Sequence, residues 1–189
     1  MTEHASSLAL EEYRALRATI RERGSLRFLV AALTFPAWTG CLIAVAASAP
    51  IPLFALAPLL VLAAGFEVVF AIHVGVERVG RYLQVRYETA TDPASPLWET
   101  TAMTARMASG GAHALFLPAF LVAAGINWVL GLALLIADAA PEEFGGFGTE
   151  ILLYGGFHVA ALARWLTAAR FAKSQRTRDL EALSKQLVS

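Results

Sequence analysis

IPLFALAPLLVLAAGFEVVFAIHVGVERVGRYLQVRYE, residues 51 to 88, is the stretch on which the fold turns. Its apolar part, about residues 53–74, is long enough to cross a bilayer, since roughly 20 residues at a helical rise of about 1.5 Å span a hydrocarbon core of about 30 Å. One carboxylate, Glu67, lies inside that run. The same pattern then continues through Glu77, Arg78, Arg81 and Arg86 as a charged helix suited to water.

Composition points the same way. Of the 189 residues, 57% are apolar and 16% charged, against about 45–50% and about 25% in soluble domains. A single soluble core cannot hide that excess, so the lipid bilayer is the expected surrounding of most of the surface. The formal net charge is zero, but segments of opposite character average to it, and their distribution is more informative. Cys41 is the only cysteine, which excludes an internal disulfide and a multi-thiolate metal site.

Before the decisive stretch, residues 1–27 mix acidic and basic side chains ahead of any apolar run, unlike a signal peptide, so the chain is read as uncleaved. Ala9, Tyr13, Leu16 and Ile20 recur at helical spacing. Ser6 or Ser7 caps this amphipathic helix, Glu11 and Glu12 sit early, Arg21 and Arg23 late, and Gly24 is expected to end it. Tyr13, Leu16 and Ile20 form a narrow stripe for a partner, for headgroups, or for the protein's own helices. Residues 28–48 carry no charge over 21 positions and make a first span, which Pro36 is expected to kink. Gly40 and Ala44 offer a small surface for another helix. The proline-bearing turn at 49–52 makes the first two spans an antiparallel hairpin.

Beyond Glu88 the composition shifts. Pro93 and Pro96 break the helix, Trp98 suits an interfacial anchor, and residues 99–107 read as a short interfacial helix before Gly110-Gly111. A third span covers about 113–137. The connection that follows contains Asp138, Glu142, Glu143 and Glu150 and no basic residue. A fourth span, about 151–169, holds His158 and Arg164 and continues as a charged helical tail.

All 15 Lys and Arg residues lie before span one, between spans two and three, or from Arg164 onward. By the positive-inside rule those segments, and both termini, are cytoplasmic.

A charge at mid-bilayer costs about 2.5–3.5 kcal/mol on insertion scales, so each is expected to have a partner. Helical rise places Glu67 about 22 Å, Arg164 about 21 Å and His158 about 12 Å below the outer face, with Asn127 nearer His158 than Glu67. Two readings of these intramembrane polar groups stay open. In one, the roles are structural: Glu67 pairs with Arg164 and fixes how two helices meet, or Arg164 snorkels to the cytosolic headgroups. In the other, a desolvated Glu67 takes up and releases protons or a cation. His73, Glu77 and Arg81 share a helical face and, with His113, form a cluster at the cytosolic interface. His-x-x-x-Glu spacing suits some divalent metals, but His158 lies at another depth, and neither metal nor cofactor is assigned.

Enzyme patterns fail on spacing. Glu11-Glu12 and Arg17 miss the EExxxR spacing of membrane CAAX-type proteases by one place, and Met107 stands where a rhomboid GxSG would begin with glycine. No phosphate-binding loop or dinucleotide fingerprint is present. Basic residues interleaved with Glu disfavour nucleic acid.

The sequence therefore predicts an all-α polytopic membrane protein of a cell inner membrane. It comprises a cytosolic amphipathic N-terminal helix (1–27), a four-helix transmembrane domain (28–169, with a cytosolic loop at 89–111) and a cytosolic helical tail (170–189). The expected role is a non-enzymatic membrane subunit or scaffold whose cytosolic helices bind a partner or a second copy. The alternative is a small oligomeric proton- or cation-coupled transporter or channel centred on Glu67.

Overall fold

The computed structural model describes residues 2–48, 54, 56–88, 101, 115–137 and 144–188. Four helices make up nearly all of them: α1 (Thr2–Ala47), α2 (Ala57–Leu83, prolonged by a π-helical turn Gln84–Glu88), α3 (Leu117–Ala137) and α4 (Phe144–Val188). All four are long and apolar enough to cross a membrane. The turn at 49–52, Trp98 and the expected helix at 99–107 apart from Thr101, Gly110-Gly111, His113 and the acidic residues 138–143 lie outside the described residues.

Several boundaries differ from the sequence reading. α1 begins at Thr2, so Ser6 and Ser7 lie inside it and do not cap it, and α2 begins at Ala57, not about 53. Gly24 does not end a helix: α1 passes through it and through Pro36 as one element of 46 residues. An interior glycine costs roughly 0.5–1 kcal/mol relative to alanine, a penalty outweighed once the N-terminal half of α1 is docked along α2. α3 begins at Leu117, not His113, which leaves Pro118 in the first turn, where its missing N–H removes no intrahelical bond. The segment read as a loop before Ile151 is helical from Phe144, so Glu150 belongs to α4. Glycine there weakens the helix without stopping it, and no proline follows in the helix.

At about 1.5 Å per residue, α1 and α4 are each roughly 70 Å long, more than twice the thickness of a bilayer core. Each therefore has an apolar half and a charged extension. α1 and α2 run antiparallel along their full shared length. Glu12 meets Tyr82 and Tyr87 at one end, Arg27 meets His73 in the middle, and Thr34 lies against Gly65 toward the other. A Cβ at Gly65 would overlap the Thr34 side chain, so the absence of a side chain there lets the two backbones approach.

The apolar half of the bundle closes around aromatic rings from three helices. Phe66 of α2 stands 5.4 Å from Phe120 of α3 and 5.3 Å from Trp165 of α4, and the last two are 5.8 Å apart. Phe35 of α1 joins at 5.1 Å from Phe120. Phe66, Phe120 and Trp165 are all buried, and such ring pairs add about 0.5–1.5 kcal/mol each beyond burial. The outward faces are just as apolar: Leu33, Leu60, Val122, Val129, Leu152 and Val159 are all exposed.

Candidate functional site

Polar side chains gather in three places. The first is buried between α1, α3 and α4. Asn127, fully buried, accepts a hydrogen bond from Trp38 Nε1 at 3.2 Å. Its amide nitrogen donates to His158 Nε2 at 3.1 Å and to the Tyr154 hydroxyl at 3.4 Å. The Tyr154 hydroxyl donates to the backbone carbonyl oxygen of Asn127 at 2.6 Å. His158 Nδ1 lies 2.9 Å from the Tyr154 carbonyl oxygen, which can only accept, so the ring carries its proton on Nδ1 and leaves Nε2 to accept from Asn127. Each group answers another, and the set closes on itself. Gly131 makes room for it, because a Cβ at that position would collide with the Tyr154 hydroxyl. A closed, buried network of this kind fixes the register of three helices; both ring nitrogens of His158 are occupied by it.

The second place joins α2 to α4. Arg164 Nη2 donates to Glu67 Oε2 at 2.7 Å, and the guanidinium lies 5.2 Å from the centre of the Phe70 ring. The Glu67 and Arg164 side chains are 44% and 47% exposed respectively. The pair therefore faces outward from the bundle, away from its core.

The third place is where the charged extensions meet. Arg81, 2% exposed, lies 2.8 Å from the Asp179 carboxylate of α4 and 3.8 Å from Glu77 one turn back on α2; Arg78 is 4.0 Å from the same Asp179. On the other side of α2, the Tyr82 and Tyr87 hydroxyls donate to the two Glu12 carboxylate oxygens at 2.9 and 2.7 Å, and Tyr13 packs edge-on against Tyr87 at 5.4 Å. The hydrogen bonds from Tyr87 and then Tyr82 hold the Glu12 carboxyl below its usual range. Burial, followed by the hydrogen bond to Glu12, pushes the Tyr87 hydroxyl up to about 12. His73 is buried, with Nδ1 3.0 Å from Arg27 Nη1; since arginine only donates, that nitrogen is unprotonated.

The structure thus distributes the sequence-derived residues over separate assemblies. Glu67 joins Arg164, and Asn127 joins His158. Glu77 joins Arg81, while His73 turns to Arg27. Tyr13 packs on Tyr87, and Leu16 and Ile20 are half-buried. His113 lies outside the described residues. Gly40 and Ala44 are exposed, with nothing near Gly40; close approach occurs instead at Gly65 and Gly131. Trp38, Tyr154, Asp179, Glu12, Tyr82, Tyr87 and Arg27 are participants that sequence reasoning missed. Tyr154 carries a readable signal, since it precedes His158 by one helical turn and shares its face. Asp179 carries none, because its partner depends on the register between two helices.

Comparison of the chain with family models, with curated proteins and with solved structures finds no match.

Proposed function

We propose that this chain is an integral protein of a cell inner membrane, with both termini cytoplasmic, acting as a non-enzymatic subunit or scaffold whose charged helical extensions bind a partner or a second copy. The observation that carries the reading is the clasp among those extensions. Arg81 and Asp179 tie α2 to α4, and Glu12 with Tyr82 and Tyr87 ties α1 to α2. Ahead of the first span, residues 2–27 of α1 reach roughly 40 Å at the helical rise. Long helices held together in this way form a preorganised platform, and preorganisation lowers the ordering cost of binding. Leu8 and Leu10, near the tip, are exposed and supply apolar contact.

The membrane placement is supported by the apolar outward faces and by the confinement of every basic residue except the intramembrane Arg164 to segments on one side. A non-enzymatic role is supported by the engagement of the intramembrane polar groups with one another: Asn127, Tyr154 and His158 in one set, Glu67 and Arg164 in another. Glu67 has a counter-charge at 2.7 Å, which favours pairing over proton coupling.

Extraction of native membrane patches with an amphipathic copolymer, followed by counting of subunits in the tagged complex, tests the role. The reading expects a stoichiometric second chain whose retention falls in the Leu8→Ser/Leu10→Ser variant. A lone copy with no companion contradicts it.

A further inference from the structure

The Glu67–Arg164 pair is badly placed for an isolated bundle. No Asp, Glu, Lys or Arg lies between residues 28 and 66, and the next charged side chain on α2 after Glu67 is Glu77, about 15 Å further along the helix. On α4 the next charged side chain after Arg164 is Arg170, about 9 Å further along, so the pair sits inside the apolar zone, in its cytosolic half. Yet nearly half of each side chain is exposed, on a surface that the membrane reading above gives to acyl chains. Removing two charges from water costs several kcal/mol per ion, which attraction offsets only when the remaining donors and acceptors are satisfied. Here they are not. A guanidinium has five N–H donors, and among the described residues only Nη2 of Arg164 is hydrogen-bonded, to one oxygen of Glu67.

The surroundings define a docking face. One turn to either side of Glu67, the exposed residues of α2 are Ala64 and Ala71; one turn before Arg164, the exposed residue of α4 is Ala160. These short side chains leave the two charges standing proud and let a neighbouring helix come close. Two turns from Arg164 on the same face, Phe157 and Phe171 are exposed, as is Leu60 two turns before Glu67, so an apolar rim surrounds the pair.

Resting on that membrane reading, we infer that a second copy of this chain docks on the α2–α4 face, so that Arg164 of each copy reaches Glu67 of the other. Charge complementarity selects this occupant. A surface with one positive and one negative group side by side at one depth is complementary to itself under a two-fold rotation about the membrane normal, because the rotation sets each charge against its opposite. Closed two-fold contacts require such self-complementarity. The result is a ring of four alternating charges with zero net charge, in which each guanidinium spans two carboxylates through donors that one copy leaves unused.

Two variants test this. Exchanging the charges within one chain, Glu67→Arg/Arg164→Glu, keeps the internal pair and its own self-complementarity, but sets like charges together against wild type. The neutral variant Glu67→Gln/Arg164→Gln removes the ring. Wild type and each variant are labelled with distinct fluorophores and mixed in vesicles, and association is read by energy transfer. Resistance of the protein to alkaline washing is scored separately, so that failure of the membrane reading shows itself independently. Wild type is expected to self-associate, the exchanged variant to associate with itself but at least about tenfold less with wild type, and the neutral variant to associate about tenfold less than wild type. Free mixing of exchanged and wild-type chains, undiminished association of the neutral variant, or a monomeric wild type, including one whose Arg164 is covered by an anionic lipid, overturns the proposal.

Discussion

The Arg81 guanidinium of α2, almost wholly buried, lies 2.8 Å from the Asp179 carboxylate of α4, far along both chains from the aromatic core that joins the same helices. The aromatic core, the Glu67–Arg164 pair and this buried ion pair thus hold α2 to α4 at separate levels.

Losing one member of the Arg81–Asp179 pair leaves the other with only a more distant counter-charge, Glu77 at 3.8 Å for Arg81 and Arg78 at 4.0 Å for Asp179. Asp179→Asn is expected to destabilise the protein by about 3 kcal/mol, because it leaves the almost wholly buried Arg81 guanidinium without its close counter-charge, and Arg81→Met by less, because the Asp179 carboxylate left behind keeps 20% exposure and Arg78 at 4.0 Å. The double variant Arg81→Met/Asp179→Leu should recover most of the loss. Thermal unfolding in detergent, with limited proteolysis of the α4 extension, reads both effects.

The Glu12 junction makes the extensions sensitive to pH at both extremes. Glu12 has a folded-state pKa lowered from 4.5, so its contribution is present above that value and lost as pH falls through the lower folded one. Tyr87 has a folded-state pKa raised from 10.0 to about 12, so its contribution is complete below the former and lost as pH rises through the latter. Tyr87→Phe should bring the Glu12 titration back toward its ordinary range. Carboxylate infrared bands and tyrosinate absorbance measure the two groups directly.

Gly131 and Gly65 are close-approach positions, and Gly155 is open. Gly131→Ala should displace Tyr154 from Asn127 and cost about 1–3 kcal/mol, as overpacking does. Gly65→Ala should cost a similar amount through Thr34. Gly155→Ala should be neutral or stabilise by up to about 1 kcal/mol. Unfolding midpoints of the three variants, measured in one detergent, decide the matter.

If Glu67 serves pairing, Glu67→Gln changes assembly and leaves transport untouched. Proteoliposomes under an imposed potential and pH gradient are expected to show the same background ion flux for wild type and Glu67→Gln. Flux present in wild type and abolished in the variant would instead make Glu67 a transport residue.

Much of the fold is legible in the sequence because its strongest signals are one-dimensional. Long apolar runs mark the four long helices, and a fixed helical rise brings Glu67 level with Arg164. What cannot be read depends on rotation and register. That Glu67 points outward follows from which face of α2 is claimed by Phe66 and Val69, both buried. That Arg81 meets Asp179 follows from how two long helices slide against each other. Gly24 misleads because glycine ends a helix only where the chain turns away, and docking onto α2 keeps α1 straight on. The Asn127 network lies between these cases: Asn127 and His158 are visible as polar residues at related depth, whereas Trp38 is concealed by its usual reading as an apolar or interfacial residue.

The central claim is a bundle that crosses the membrane and presents its three extensions together on the cytoplasmic side. Site-specific thiol labelling tests it most directly. In a Cys41→Ser background, Ser7→Cys and Ser184→Cys mark the α1 and α4 extensions, and Ser48→Cys marks the opposite end; all three positions are exposed. With an impermeant reagent applied to intact spheroplasts, Ser48→Cys should label at once, and the other two only after the membrane is opened. Labelling of Ser7→Cys and Ser184→Cys from opposite sides, or of all three before opening, would contradict the account.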